Sequence, residues 1–208
     1  MTDKALQPRF RIFPGASSRA IPAFRAGALV LGLAGCTAYE TVSDLISDPI
    51  ILPCPDYKVV ADAAKMVRFR EGPGHDLIDI NFESEIEGVQ LACTSNIDKK
   101  TRIGTMDVEI TVEFKTQRGP ANRDRRAPFE YFISVIDSSR KILYREAFKV
   151  NVRFAGNKTR LSLGAEPVTL EFPISPQRSS RTYRILTGFK LNREELRHNR
   201  DRTKVRSR

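Results

Sequence analysis

The residue best placed for chemistry is Cys36, because its thiol directly follows a short apolar run. A thiol can act as a nucleophile and can carry a covalent modification. The run, residues 26–34, comes after a lead with arginines at positions 9, 11, 19 and 25. A charged lead, a short apolar run and small residues at its end are typical of a secretory signal. The run is shorter than the ~20 residues that a membrane-spanning helix needs, and a buried helix is the alternative interpretation.

The tetrapeptide LAGC at 33–36 resembles the lipobox of bacterial lipoproteins. The resemblance implies that residues 1–35 are a signal peptide and that Cys36 receives a diacylglyceryl group. It also implies cleavage before Cys36 and acylation, for example with palmitate, of the new amino terminus. The expected partner is therefore a membrane, reached through an N-terminal lipid anchor, and the expected location is the cell envelope, facing the periplasm. Thr37 in place of Asp favours the outer membrane.

Two further cysteines, Cys54 and Cys93, remain if Cys36 is lipidated. In an oxidising compartment two such thiols tend to pair. A bridge between them would close a loop of about 40 residues and stabilise the fold by about 3–4 kcal/mol. Two separate buried thiols are the alternative. Two thiols without a neighbouring histidine give too few ligands for zinc, so we expect no metal site here.

A catalytic constellation is not evident in the sequence. His75 lies in a glycine- and proline-rich turn, and His198 lies near the C-terminus. Neither accompanies a nucleophile elbow, a zinc-binding histidine pair or a phosphate-binding glycine loop. Acidic residues on the predicted strands could bind calcium only if neighbouring strands aligned them, and a solvated acidic sheet face is the simpler interpretation. We therefore predict no enzymatic activity and no cofactor.

The formal charge of +10 is concentrated at the two ends of the chain. Residues 1–35 and 193–208 each carry a net charge of +4, which leaves +2 for residues 36–192. A nucleic-acid-binding domain carries its basic residues on a folded surface. This distribution therefore argues against a nucleic-acid partner.

The body of the chain predicts a mainly β fold. Residues 36–56 contain prolines at 49, 53 and 55, which oppose regular structure, and are expected to form a tether. Residues 57–192 then show alternation of apolar and polar residues, with Ile78, Ile80, Phe82 and Ile86 on one side of a predicted strand. The residues 106–114 repeat this pattern, which is typical of antiparallel strands with one buried face. The remaining predicted strands are 58–60, 64–70, 88–94, 129–136, 142–144, 147–154, 168–172 and 183–189. This number of short strands favours an antiparallel β-sandwich, for which we expect an immunoglobulin-like topology.

Two basic segments flank or interrupt the predicted strands. The insert 115–128 carries arginines that we consider for binding an anionic partner, although a solvated hairpin tip is the alternative. These are Arg118, Arg123, Arg125 and Arg126. At the C-terminus, Asn192 and Glu195 have capping-box spacing, which predicts a short helix over about 193–199. A frayed basic tail should follow, and it contains the other candidate partner-binding residues, Arg202, Lys204, Arg206 and Arg208.

The ending GFKLNREELRHNR at 188–200, with RGP at 118–120 and YF at 131–132, resembles a group of uncharacterised proteobacterial lipoproteins. This resemblance implies an envelope location and brings no activity. Two functions remain open at this stage. One is a membrane-anchored lipoprotein with a structural role or a docking role for another envelope protein. The other is a module that binds a small molecule or a metal ion on the same sandwich.

Overall fold

The computed structural model describes residues 50–72 and 75–206, and it describes side chains as far as residue 201. Within this part, nine strands precede a single α-helix. The strands are β1 (Asp56–Val59), β2 (Lys65–Phe69), β3 (Ile80–Ile97), β4 (Gly104–Arg118), β5 (Arg126–Ile136), β6 (Ile142–Arg153), β7 (Arg160–Gly164), β8 (Val168–Ile174) and β9 (Arg184–Phe189). The helix, α1, spans Arg193–Arg206. The mainly β fold with a C-terminal helix is confirmed.

The strands form two sheets that pack as a β-sandwich. Sheet A has the order β2-β3-β4-β7, and β8 also pairs with β4 beyond the end of β7. Sheet B has the order β1-β9-β5-β6. All pairings are antiparallel except that of β1 with β9, which is parallel. The first and last strands of the body therefore lie side by side, and α1 follows the end of β9, at the opposite end of this strand pair from the tether.

The core lies between the two sheets, where the predicted apolar rows meet. Phe114 of sheet A contacts three aromatic rings of sheet B, with centroids 5.1 Å from Phe129, 5.1 Å from Tyr131 and 5.6 Å from Phe189. The alternate residues of β4 from Met106 to Phe114 are fully buried, as the alternation predicts. Burial of these side chains from water is the main source of stability for such a two-layer fold.

Several strand boundaries differ from the predicted ones. The predicted break near Gly88 is a β-bulge inside the single strand β3, where the register shifts between Ile86 and Gly88. The two segments 142–144 and 147–154 form the one strand β6. The strand β7, which has five residues and pairs with the last part of β4, was not predicted.

Two residues at the start of β3 were assigned wrongly. Ile78 is 72% exposed, because it lies in a 3-10 turn that precedes the strand and not in the strand itself. Asp79 is one of the acidic strand residues that were expected to form a solvated face, and it is only 3% exposed. The alternation rule fails here because the period of two begins only at Ile80.

The arginine-rich insert is not a hairpin tip, because β4 and β5 belong to different sheets. Residues 119–125 cross from one layer to the other and are bound to the start of β3. The backbone N–H groups of Gly119 and Ala121 donate to the carbonyls of Asn81 and Ile80, at 2.8 and 3.0 Å. A Cβ atom at Gly119 would lie 2.1 Å from the Ile80 carbonyl oxygen, so the crossing requires glycine.

The helix α1 begins as predicted and ends later than predicted. The Asn192 side-chain oxygen accepts from the N–H groups of Glu194 and Glu195, and Glu195 Oε2 accepts from the Asn192 N–H at 2.8 Å. This reciprocal pair is the predicted capping box. The helical backbone continues to Arg206, so Arg202, Lys204 and Arg206 belong to the helix and not to a frayed tail. No helix in the described part of the chain is long and apolar enough to cross a bilayer.

Candidate functional site

The predicted disulfide is present. Cys54 and Cys93 are bonded, with their Cα atoms 5.8 Å apart and a sequence separation of 39 positions. The bond attaches the segment before β1 to the second half of β3, and the neighbouring Leu52 packs against the core. The position where any N-terminal tether joins the sandwich is therefore covalently defined. Cys36 and Arg208 lie outside the described residues, and their proposed roles stay predictions.

The four arginines of the insert do not form one cluster. Arg118 is half-buried at the end of β4, and Arg123, Arg125 and Arg126 are exposed around the crossing segment. Asn122 orders this segment, because it is buried and its Nδ2 donates to Asn81 Oδ1 and to the Arg126 carbonyl, at 2.6 and 2.8 Å.

The crossing segment ends beside the end of β6. Phe154 N donates to the Arg125 carbonyl at 2.9 Å, and Arg126 pairs with Arg153 across β5 and β6. Arg126 and Arg125 therefore lie beside Arg153, a basic residue of sheet B that was not among the predicted candidates.

A cleft of about 450 Å³ separates β2 and the turn after it from α1. This cleft was not predicted, because its two walls are far apart in the chain: Arg68 and Glu195, which join them, are separated by 127 positions. The Phe69 ring lies between the two histidines, with ring centroids 5.0 Å from His75 and 5.6 Å from His198. His75 Nε2 lies 3.4 Å from Glu194 Oε1 on α1. The described residues contain no group of three metal-ligating side chains, in this cleft or elsewhere.

Two ion pairs with a buried carboxylate stand at the cleft. Arg68 Nε donates to Glu195 Oε1 at 2.6 Å, and the Glu195 side chain is 6% exposed. Arg70 Nε lies 2.6 Å from Asp79 Oδ1, although no aligned hydrogen bond reaches that oxygen. Buried carboxylates need such partners because an isolated charge is costly away from water. These pairs attach α1 and the turn to β2, and they leave the cleft polar, with charges of both signs.

The outer surface of sheet A is acidic. We call it the acidic face, and its acidic side chains are Glu83, Glu85, Glu87, Asp107, Glu109, Glu113 and Glu171. Two of them are partly neutralised, Glu85 by Lys65 at 2.9 Å and Glu87 by Lys115 at 3.5 Å. Asp107 and Glu171 stand directly opposite each other on β4 and β8. The prediction that the acidic residues of the strands face solvent is correct for the carboxylates of β3 and β4 in this set, and Glu171 on β8 adds to them.

The outer surface of sheet B is basic. We call it the basic face, and its basic side chains, all exposed, are Lys58, Arg126, Arg145, Lys149, Arg153, Arg184 and Lys190. Glu130 and Asp56 are the acidic residues among them. Lys190 Nζ donates to Glu130 Oε2 at 2.6 Å, and this bond lowers the pKa of the Glu130 carboxyl from its usual value. Glu130 is therefore already paired with Lys190, and the basic face keeps an excess of positive charge.

Comparisons with known proteins add little to this geometry. No protein-family model matches the sequence. No curated protein matches it either. Among solved structures, the chain is similar to the variable (V) domain of the AgI/II polypeptide BspA of Streptococcus agalactiae, at 10% identity over 65% of this chain and 78% of that one. The TM-score is 0.17, which does not establish a common fold.

Proposed function

We propose that the protein is a lipid-anchored component of a bacterial cell envelope with a structural or partner-docking role and no catalytic activity. The observation that carries the docking role is the opposite charge of the two outer faces of the sandwich. Because each face is a rigid sheet, its charges stand at fixed spacings and form an extended surface. Such surfaces guide and orient association with partners of opposite charge.

Two observations support the envelope location. The LAGC tetrapeptide ends at Cys36 after a charged and apolar lead. The Cys54–Cys93 disulfide fits a domain that folds in an oxidising compartment such as the periplasm. Between Cys36 and Cys54 lie 17 residues, so a tether could reach at most about 60 Å. We favour the outer membrane, since Thr37 follows the acylated cysteine.

The anchor is tested by the intact mass of the protein purified from its host membranes. We expect loss of residues 1–35 and a mass increase for a diacylglyceryl group and one further acyl chain. The matched variant Cys36→Ser should lose both changes. An unmodified thiol with the leader attached would contradict the proposal.

The docking role is tested by crosslinking in intact cells, followed by identification of the partners. A variant with Asp107→Asn and Glu109→Gln removes charge from the acidic face, and a variant with Arg145→Gln and Lys149→Gln removes it from the basic face. We expect one of the two variants to lose crosslinked partners and the other to keep them. If both variants crosslink to the same proteins as the parent protein does, docking through these faces is excluded.

A second candidate function rests on the cleft between β2 and α1. Its volume suits a small molecule, and its arginines, carboxylates and histidines suit a polar one. A screen of metabolites and metal ions should then raise the melting temperature of the protein, and Phe69→Ala should abolish the rise for any hit. A hit whose effect survives Phe69→Ala binds elsewhere, and a screen without hits leaves the docking role as the supported function.

A further inference from the structure

The two layers of the sandwich carry opposite charge on their outer surfaces, although the net charge of residues 36–192 is only +2. This separation follows from strand alternation, because every second residue of a strand points outward. On β6 the outward residues are Arg145, Ala147, Lys149, Asn151 and Arg153, and all five are exposed. The basic residues of β6 thus recur at every fourth position, about 13 Å apart.

From these positions we propose that the basic face seats on an anionic bilayer, with the acidic face directed away from it. This inference rests on the proposed lipid anchor. The basic side chains come from neighbouring strands of one sheet, so they lie in one surface and match a plane of phosphate headgroups better than a narrow ligand. An anionic surface also repels the acidic face, and this repulsion selects one of the two possible orientations.

Local contacts in the basic face fit headgroup binding. The Arg145 guanidinium carbon lies 4.9 Å from the centroid of the Phe132 ring, which is also outward and half-buried, and this contact holds the cation on the sheet. At the other end of the face, a depression of about 420 Å³ is lined by Lys149, Lys190 and Asn151. Glu130 also lines it and is paired with Lys190. These groups provide donors for a phosphate oxygen at the rim of the sandwich.

Because a lipid-anchored tether holds the domain near the membrane, a weak attraction between the basic face and the bilayer is sufficient for seating. The anchor keeps the domain within reach of the bilayer, so seating becomes an intramolecular step with a high effective concentration. Each basic side chain near an anionic leaflet adds attraction that falls off within a Debye length. Seating should therefore depend on anionic lipid and weaken with added salt.

The sequence contains no tryptophan, which permits a direct test with single introduced indoles. Ala147→Trp places the indole in the middle of the basic face, and Ala92→Trp is the matched control at an exposed position of the acidic face. The protein purified from host membranes is reconstituted into vesicles with or without phosphatidylglycerol in phosphatidylcholine, together with a headgroup-labelled nitroxide lipid that quenches tryptophan emission.

We expect stronger quenching of Ala147→Trp than of Ala92→Trp in the anionic vesicles, with loss of the difference in neutral vesicles and at high salt. In the Ala147→Trp background, Arg145→Gln with Lys149→Gln and Arg153→Gln should also abolish the difference. The matched variant Lys99→Gln with Lys100→Gln and Arg102→Asn removes the same charge from the β3–β4 turn and should keep it. Retained disulfide and circular dichroism confirm folding.

Equal quenching of the two indoles, or equal effects of the two triple variants, would overturn the proposal. Binding of dextran sulfate through the basic face without any preference for anionic vesicles would also overturn it, in favour of a soluble polyanion. Failure of the proposed anchor is distinguished from failure of the proposed seating by a different measurement. If the intact mass shows no acyl group, the proposed anchor is wrong. Quenching of the two indoles by vesicles added to the unanchored protein still shows which face contacts lipid.

Discussion

Arg68 and Glu195 join the two ends of the described fold, since Arg68 lies on β2 and Glu195 on the first turn of α1. Glu195 uses both carboxylate oxygens: Oε1 accepts from Arg68 Nε at 2.6 Å, and Oε2 accepts from the Asn192 N–H at 2.8 Å. One buried side chain therefore caps the helix and fixes it to the sheet.

Replacing Glu195 with Gln should lower the free energy of unfolding by about 2 kcal/mol, because Arg68 and the helix N-terminus lose a charged acceptor. Hydrogen exchange of the α1 amides should accelerate first, since the helix detaches before the sandwich unfolds. The matched change Glu194→Gln concerns an exposed carboxylate 3.4 Å from His75 and should cost less than about 0.5 kcal/mol. Equal costs for the two variants would contradict this role of Glu195.

The capping box that places Glu195 was predictable, whereas its contact with Arg68 was not. Local spacing indicates where a helix begins, but it does not indicate which strand the helix contacts. The two charged faces illustrate the same limit. Alternation showed which carboxylates of β3 and β4 face solvent, yet the basic residues of β5, β6 and β9 form one surface only through the pairing of these strands. Asp79 was assigned wrongly because a 3-10 turn shifts the start of the alternation.

Removing the disulfide should lower the free energy of unfolding more than removing any single hydrogen bond does. For a sequence separation of 39 positions between Cys54 and Cys93, the chain-entropy model gives about 4 kcal/mol. Cys54→Ala with Cys93→Ala should therefore shift the urea midpoint strongly, and a reducing agent should shift the parent protein equally. The reducing agent should leave the double variant unchanged. A parent midpoint that is insensitive to reductant, while the bond is shown to be reduced, would refute the predicted contribution.

The acidic face should contain an unfavourable pair. Asp107 and Glu171 are directly opposite on antiparallel strands, and like charges in such a pair repel. Glu171→Gln should therefore raise the free energy of unfolding by about 0.5 kcal/mol at low salt, and added salt should reduce the gain. Glu83→Gln is the control, because Glu83 stands opposite Val67 and Gln117. A gain for Glu83→Gln of the same size would assign the effect to net charge and not to this pair.

Stability should fall at alkaline pH through the buried tyrosines. Tyr131 is 2% exposed, and its burial, together with the charge of Glu166, raises its pKa to about 12. An unfolded tyrosine titrates near pH 10, so the folded state retains a proton that the unfolded state loses. The resulting stabilisation is fully present below pH 10 and is lost as the pH rises towards 12, with a slope of at most about 1.4 kcal/mol per pH unit for this residue.

Urea unfolding at pH 8, 10 and 11 checks this dependence. In Tyr131→Phe the free energy of unfolding should still fall at alkaline pH, but less steeply than in the parent protein. Part of the fall remains because burial also raises the pKa of Tyr144 and Tyr183. Tyr57→Phe, at a side chain that is 48% exposed, should decline like the parent protein. If Tyr131→Phe declines as steeply as the parent between pH 10 and 11, the Tyr131 hydroxyl does not retain its proton on folding. The loss of stability at alkaline pH would then come from titrating groups other than Tyr131.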